Sequence, residues 1–156
     1  MPVDFEIYKN LIVADDDPDD QLMLKEIISE YSSLIKTTCI SDGKKLMEHL
    51  TVEKPPDLLL LDLNMPYKSG IQCLNEIRAD KKLRALPIVV FSTSRNMQDI
   101  ELCFSGGAHL FYSKPWDLKS CRALIHSILE IDWSVFKRPN NPVEFSKVAL
   151  EGRLLN

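Results

Sequence analysis

Two aspartates follow directly on a short apolar run in Leu11-Ile12-Val13-Ala14-Asp15-Asp16, and another closes a run of four leucines in Leu58-Leu59-Leu60-Leu61-Asp62. Carboxylates at the ends of segments apolar enough to be buried are costly to hold ionised. Asp15 and Asp16 also open the stretch Asp15-Asp16-Asp17-Pro18-Asp19-Asp20, with five acids in six residues. Asp17 has a simple role there as a helix N-cap, with Pro18 at the first helical position. Asp19 and Asp20 suit the first turn of that helix. Asp15 and Asp16 lie on the strand side of the cap and need another explanation. A hard divalent cation with oxygen ligands, Mg²⁺ for preference, supplies one. Two more apolar runs end in polar groups: Pro87-Ile88-Val89-Val90-Phe91 in Ser92-Thr93-Ser94, and His109-Leu110-Phe111-Tyr112 in Ser113-Lys114-Pro115. A carboxylate nucleophile, acids for a dication, and a hydroxyl and a lysine to meet an anionic group are the parts that phosphoryl transfer to a carboxylate requires.

These residues can act together only if the fold brings the ends of four apolar runs to one place. The leucine run, bounded by Asp57 and by Pro66 with Lys68-Ser69-Gly70 beyond, has the pattern of a strand buried on both faces, as in a parallel sheet. Residues 11–14 predict a first strand, 34–40 a second, 87–91 a fourth and 109–112 a fifth. Between them lie helical patterns. Leu22, Leu24, Ile27, Ile28 and Tyr31 mark the first helix and residues 44–50 the second, after the turn Ser41-Asp42-Gly43. Ile71, Leu74 and Ile77 mark a third that opens at Gly70, and residues 97–104 a fourth that stops at Gly106-Gly107. The fifth, capped by Asp117, runs through Leu118, Leu124, Ile125, Ile128 and Leu129. Residues 80–84 form a charged, solvated connection. Alternating strands and helices predict an α/β fold, a doubly wound five-stranded parallel sheet with helices on both faces. All strand ends that carry the polar groups then lie on one edge of the sheet, where such folds place their ligand crevice.

With the acidic pair in Ile12-Val13-Ala14-Asp15-Asp16, then Leu61-Asp62-Leu63-Asn64-Met65-Pro66 with Gly70 after it, Val90-Phe91-Ser92-Thr93, and Lys114-Pro115, the chain resembles the response-regulator receiver domains of two-component signalling, chemotaxis-regulator-like single-domain proteins among them. The resemblance covers residues 9–131. It implies a flavodoxin-like (βα)5 sheet of strand order 2-1-3-4-5. It implies that Asp62 accepts a phosphoryl group from a histidine kinase or histidine phosphotransfer protein. Asp16, Asp62 and the main-chain carbonyl of Asn64 would ligate Mg²⁺ directly, with Asp15 acting through water. Lys114 would pair with phosphoryl oxygens, and the bond between Lys114 and Pro115 would be cis. Ser92 would be drawn to the phosphoryl group, and Phe111 would change rotamer with it. Asn64, Thr93 and Ser94 would tune the lifetime of the acyl phosphate; Asn64 and Ser94 are neither acid nor base, which implies an intermediate lifetime. The protein would be a phosphoacceptor, not an enzyme acting on an external substrate.

Each residue has an ordinary role when taken singly: Lys114 as a surface lysine, Ser92 as a turn residue, Phe111 as core packing. Their order and spacing at strand ends carry the reading. Ser92 stands where the family more often has threonine, Thr93 where a smaller residue is frequent, and Phe111 where tyrosine is. His49, His109 and His126 have no metal-ligand spacing.

The remaining composition narrows the class. The 156 residues are 45% hydrophobic, enough for one core, and carry a net charge of -4. There is no basic footprint for nucleic acid and no apolar run of the ~18 residues that spans a bilayer. The acidic start lacks a signal peptide's pattern. Cys39, Cys73, Cys103 and Cys121 are scattered, so reduced core thiols in a cytoplasmic protein are expected. Residues 1–131 are expected to form the receiver domain. Residues 132–156 form a C-terminal extension: a linker with Pro139 and Pro142, then a helix within 143–155, with Trp133 and Phe136 packed on the body. That extension is too short for a DNA-binding domain, so a stand-alone regulator acting by protein contact is expected, able to pair through the face of the fourth helix, fifth strand and fifth helix. A phosphorelay intermediate or phosphate sink has the same signature. An aspartyl phosphatase of the haloacid dehalogenase type would need a second acid where Asn64 stands. A flavin-binding module would need a phosphate cradle where the chain has carboxylates.

Overall fold

A computed structural model of the protein describes residues 10–151. Five strands form one parallel sheet: β1 (Asn10–Ala14), β2 (Lys36–Ile40), β3 (Leu58–Leu61), β4 (Ile88–Ser92) and β5 (Leu110–Ser113), in the order β2-β1-β3-β4-β5. Six helices accompany them: α1 (Pro18–Tyr31), α2 (Gly43–Val52), α3 (Gly70–Ala79), α4 (Met97–Ser105), α5 (Leu118–Leu129) and α6 (Pro142–Glu151). The expected fold and strand order are those observed.

The four leucines of β3 show why the sheet needs helices on both faces. Successive side chains of a strand point to opposite faces. Leu59 and Leu61 join a core with Leu46, Leu50, Leu74, Ile77 and Ile100 from α2, α3 and α4. Leu58 and Leu60 join another with Leu24, Ile27 and Ile28 of α1 and Leu124, Ile125 and Ile128 of α5. All four leucines are buried.

Several boundaries differ from the sequence expectation for local reasons. The second strand starts at Lys36, not at 34, and Leu34 is exposed. The Ser32 hydroxyl accepts the Leu34 N–H, and turn chemistry takes those residues. Helix α2 opens earlier than 44 because Asp42 is its N-cap, accepting the Lys45 N–H at 2.7 Å. Leu22 lies on the outer face of α1 and is exposed, off the apolar stripe. The fourth helix ends where expected: Gly107 takes a φ of +91°, a conformation that favours glycine.

The chain after α5 packs back on the sheet. Trp133 lies against Phe136 and His109, with ring centroids 5.0 and 5.4 Å apart. The Arg138 guanidinium sits 4.4 Å above the Phe104 ring and donates to the Phe104 carbonyl at 2.6 Å. Helix α6 packs on β5 and α4. It sends Phe145 into the core that holds Phe111, and Val148 into the core that holds Tyr112. It thereby covers β5, an edge strand whose open hydrogen-bonding groups invite unwanted pairing. Of the expected helix, residues 152–155 lie outside the described residues.

If α6 is part of the folded unit, Phe145→Ala should lower the unfolding free energy by about 3 kcal/mol. Val143→Ala, at an exposed position of the same helix, should change it by less than about 0.5 kcal/mol. Urea denaturation of the full chain checks both. Equal, near-zero effects would mean that α6 adds nothing to the fold.

Candidate functional site

Register brings the polar strand ends level. Ala14 of β1 pairs with Leu61 of β3, Leu61 with Val90 of β4, and Ser92 of β4 with Ser113 of β5. The next residues are Asp15, Asp62 and Lys114. Backbone bonds hold each in line: Asp15 N–H to the Ile40 carbonyl at 3.0 Å, Asp62 N–H to the Ala14 carbonyl at 2.9 Å, and Lys114 N–H to the Ser92 carbonyl at 2.7 Å. Gly70 lets the start of α3 close on this edge. A Cβ there would lie 2.2 Å from the Asp62 carbonyl oxygen, so any side chain would push the loop away. Between them, Tyr67 has φ 67°, an uncommon value for a residue with a side chain.

Three carboxylates meet at the sheet edge. Oxygens of Asp15, Asp16 and Asp62 lie within 4.8 Å of one another, with Asp15 and Asp62 buried and Asp16 exposed. No other group of three metal-binding side chains occurs among the described residues, and no histidine is in it. Lys114 faces them. Its Nζ donates to Asp15 Oδ2 at 2.7 Å and to Asp20 Oδ2 at 2.8 Å, and lies 3.9 Å from Asp62 Oδ2. Ser92 is fully buried, and its hydroxyl lies close enough to Asp62 to favour the ionised carboxylate, whose Oδ1 accepts the Leu63 N–H at 2.8 Å.

The electrostatics follow from this crowding. Burial first, and then the charge of Asp15, push the Asp62 carboxyl up to about 6, against the pull of Lys114, the Leu63 N–H and Ser92. Burial also raises Asp15, opposed by its bond to Lys114. Burial works against the charge of Lys114, yet its bonds to Asp15 and Asp20 and the charge of Asp62 outweigh it and hold the ammonium above its ordinary value. One ammonium does not balance Asp15, Asp16, Asp20 and Asp62 when all are ionised. The surplus of carboxylate oxygen suits a hard divalent cation.

The structure thus brings together Asp15, Asp16, Asp62, Ser92 and Lys114. Asn64 and Thr93 are exposed beside them, and Phe111 is fully buried in the core below. Ser94 is half-buried and bonds to Asp99, not to the acids. One expectation is corrected: the bond between Lys114 and Pro115 is trans, and no peptide among the described residues is cis. Trans is the lower-energy form of such a bond by about 0.5–1 kcal/mol, and Lys114 reaches both of its carboxylate partners with it. Asp20 was missed as a site residue. Its place in the first turn of α1 explained it locally, and nothing in the sequence marks its pairing with a lysine in the fifth strand-end loop. His109, expected to be incidental, accepts the Ile88 N–H and lies 3.2 Å from Arg78 Nη2. Burial and then Arg78 and Arg138 push it down to about 4.

Residues 11–126 match the family model described as the response regulator receiver domain. Response regulator Rcp1 of Synechocystis sp. is 26% identical over 126 residues, which cover 77% of this chain and 86% of Rcp1. A probable cyclic di-GMP phosphodiesterase of Vibrio cholerae is 27% identical over 120 residues, 77% of this chain, which spans only 26% of that protein's length. The crystal structure of the Mn(2+)-bound form of Rcp1 superposes with a TM-score of 0.75 at 25% identity, covering 84% of this chain and 99% of that one. That of the phosphorylated cyanobacterial phytochrome response regulator RcpA superposes with a TM-score of 0.77 at 28% identity, covering 85% and 99%.

The raised Asp62 carboxyl carries a pH signature. The folded protein holds this proton more tightly than the unfolded chain, whose carboxyl titrates near 3.8. The resulting stabilisation is complete below about pH 4 and is lost as pH rises through about 6. In metal-free buffer, Asp62→Asn should therefore lose less stability than wild type between pH 4 and 7, by on the order of 2–3 kcal/mol. Millimolar Mg²⁺ should shrink the difference by favouring the ionised acid. Urea unfolding across that range checks this, and identical pH dependence in both proteins would contradict it.

Proposed function

The chain belongs to the response regulator receiver domain family of signalling proteins, and on that premise we propose that Asp62 accepts a phosphoryl group from a phosphohistidine donor, a histidine kinase or histidine phosphotransfer protein. The observation that carries this is the setting of Asp62: a buried carboxylate 3.9 Å from the Lys114 ammonium and beside the Ser92 hydroxyl, with oxygens of Asp15 and Asp16 within 4.8 Å.

In the transfer, an Asp62 oxygen attacks phosphorus and the phosphorus–nitrogen bond of the donor breaks, its electron pair returning to the imidazole. Attack requires the ionised acid, and burial opposes ionisation. Asp15, Asp16 and Asp62, with the main-chain carbonyl of Asn64, are the groups that would hold Mg²⁺. When bound, Mg²⁺ supplies the positive charge that favours ionised Asp62 and offsets charge on the phosphoryl oxygens. Lys114 meets a phosphoryl oxygen as a mobile point charge without leaving the site, since its pairing with Asp15 and Asp20 keeps it there. Ser92 lies beside the acceptor and donates its hydroxyl to the phosphoryl group once that is attached. The loop after β4 follows it, and Phe111 repacks in the core beneath, giving a two-state element biased by a local charge change. Asn64, Thr93 and Ser94 set how long the acyl phosphate lasts.

The same reading makes residues 1–131 the receiver domain and 132–156 an extension of it, with the output a protein contact in the cytoplasm and no turnover of external substrates. Pairing of two copies through α4, β5 and α5 belongs to it as well; α6 packs on α4 and β5 and so forms part of that surface.

A histidine kinase autophosphorylated with radiolabelled ATP provides the test. Label should pass to the wild-type chain in the presence of Mg²⁺, and Asp62→Asn should take at least a hundredfold less, since no other nucleophile replaces the acceptor. Catalytic turnover of phosphate esters, or transfer indifferent to Asp62, would overturn the proposal.

A further inference from the structure

The segment between β4 and α4 carries a set of hydrogen bonds that neither acceptor chemistry nor helix capping accounts for. The Ser94 hydroxyl donates to Asp99 Oδ2 at 2.6 Å and accepts the Asn96 N–H at 3.2 Å. The Ser94 carbonyl accepts the Ser113 hydroxyl at 2.9 Å, which ties the loop to the end of β5. The Ser94 N–H donates to Ser92 Oγ at 3.2 Å. Ser94 is therefore held through its hydroxyl, its carbonyl and its amide, and the last of these bonds lands on Ser92, whose hydroxyl lies beside Asp62.

The bond from Ser94 N–H to Ser92 Oγ has a directional consequence. A hydroxyl has one proton and two lone pairs. With one lone pair engaged by the Ser94 amide, the orientation of the Ser92 hydroxyl is restricted, and its proton is left for Asp62. Whatever fixes Ser94 thus fixes the aim of Ser92. Helix α4 does not need Asp99 for its start, because Asn96 is its N-cap and accepts the Gln98 N–H at 2.8 Å. The short bond from Ser94 to an acid is of the charge-assisted kind, stronger than a neutral one.

We propose that Asp99 is a positioning residue for the phosphoacceptor reaction: it anchors Ser94, which holds the Ser92 hydroxyl aimed at Asp62. The proposal rests on the reading of Asp62 as the acceptor, so its test includes a measurement that needs no phosphorylation. Amide hydrogen exchange at Ser94 reads the bond to Ser92 directly in the full chain. Asp99→Ala should speed exchange there about tenfold, as Ser92→Ala does, while Asp99→Asn, whose side-chain carbonyl still accepts from Ser94, should keep most of the protection. Labelling by acetyl phosphate with Mg²⁺ should slow about fivefold in Asp99→Ala and little in Asp99→Asn, with no further slowing when Asp99→Ala is combined with Ser92→Ala.

A role confined to the charge at the start of α4 would be lost in Asp99→Asn as fully as in Asp99→Ala, and would persist without Ser92; either pattern overturns the proposal. So does a Ser94 amide as protected in Asp99→Ala as in wild type. If that amide responds to Asp99 while the wild-type chain takes no phosphoryl group, the positioning stands and the acceptor reading falls.

Discussion

The site depends on one half-buried ammonium. Lys114 stands 2.7 Å from Asp15, 2.8 Å from Asp20 and 3.9 Å from Asp62, and each of those acids comes from a different part of the chain. Asp15 follows β1, Asp20 is in the first turn of α1 and Asp62 follows β3. Asp15 and Asp62 are buried, and ionised carboxylates there would be costly to hold without an opposite charge beside them. The lysine therefore both stabilises the acidic edge and leaves it short of positive charge. Burial, with the charge of Asp15, raises the Asp62 carboxyl, and the shortage of positive charge makes the edge receptive to a divalent cation. Stability and chemistry draw on the same ion pairs.

What places the lysine is the sheet. In a parallel sheet in register, the residues after each strand arrive together, and the backbone bonds of Asp15, Asp62 and Lys114 extend the ladder by one step beyond the strands. This much was legible in the sequence, because uninterrupted apolar runs such as Leu58-Leu59-Leu60-Leu61 have few alternatives to a buried strand, and each run ends on a residue that a core would not accept. The pairing of Lys114 with Asp20 and the bond of Ser94 to Asp99 were not legible. Both acids carry strong local signals for a helix start, and a local explanation hides a tertiary partner. His109 was hidden for the opposite reason: its role as an acceptor for Ile88 depends on which atoms a neighbouring strand presents, and nothing in the residues beside it hints at that. The start of β2 was misplaced because the Ser32 hydroxyl turns the chain where apolar Leu34 argued for a strand.

The extension adds a link between the site edge and the far side of the sheet. Phe145 shares a core with Phe111 and with Ile100 and Cys103 of α4. In the proposed switch, movement of the loop after Ser92 would act on α4, whose other contacts include α6. Close-packed cores respond to such shifts by discrete repacking and not by smooth deformation. In the proposed function, a change at Asp62 would be expressed where α4 and α6 meet, some distance from the chemistry.

The most direct measurement locates the acyl phosphate itself. After incubation with Mg²⁺ and acetyl phosphate, borohydride reduces an aspartyl phosphate to homoserine, and tandem mass spectrometry of the resulting peptides reads the position. The account predicts homoserine at position 62 and nowhere else, and none when Mg²⁺ is withheld. Homoserine at position 15 or 16, or its absence in a protein whose fold is intact, would contradict the assignment of Asp62 as the acceptor.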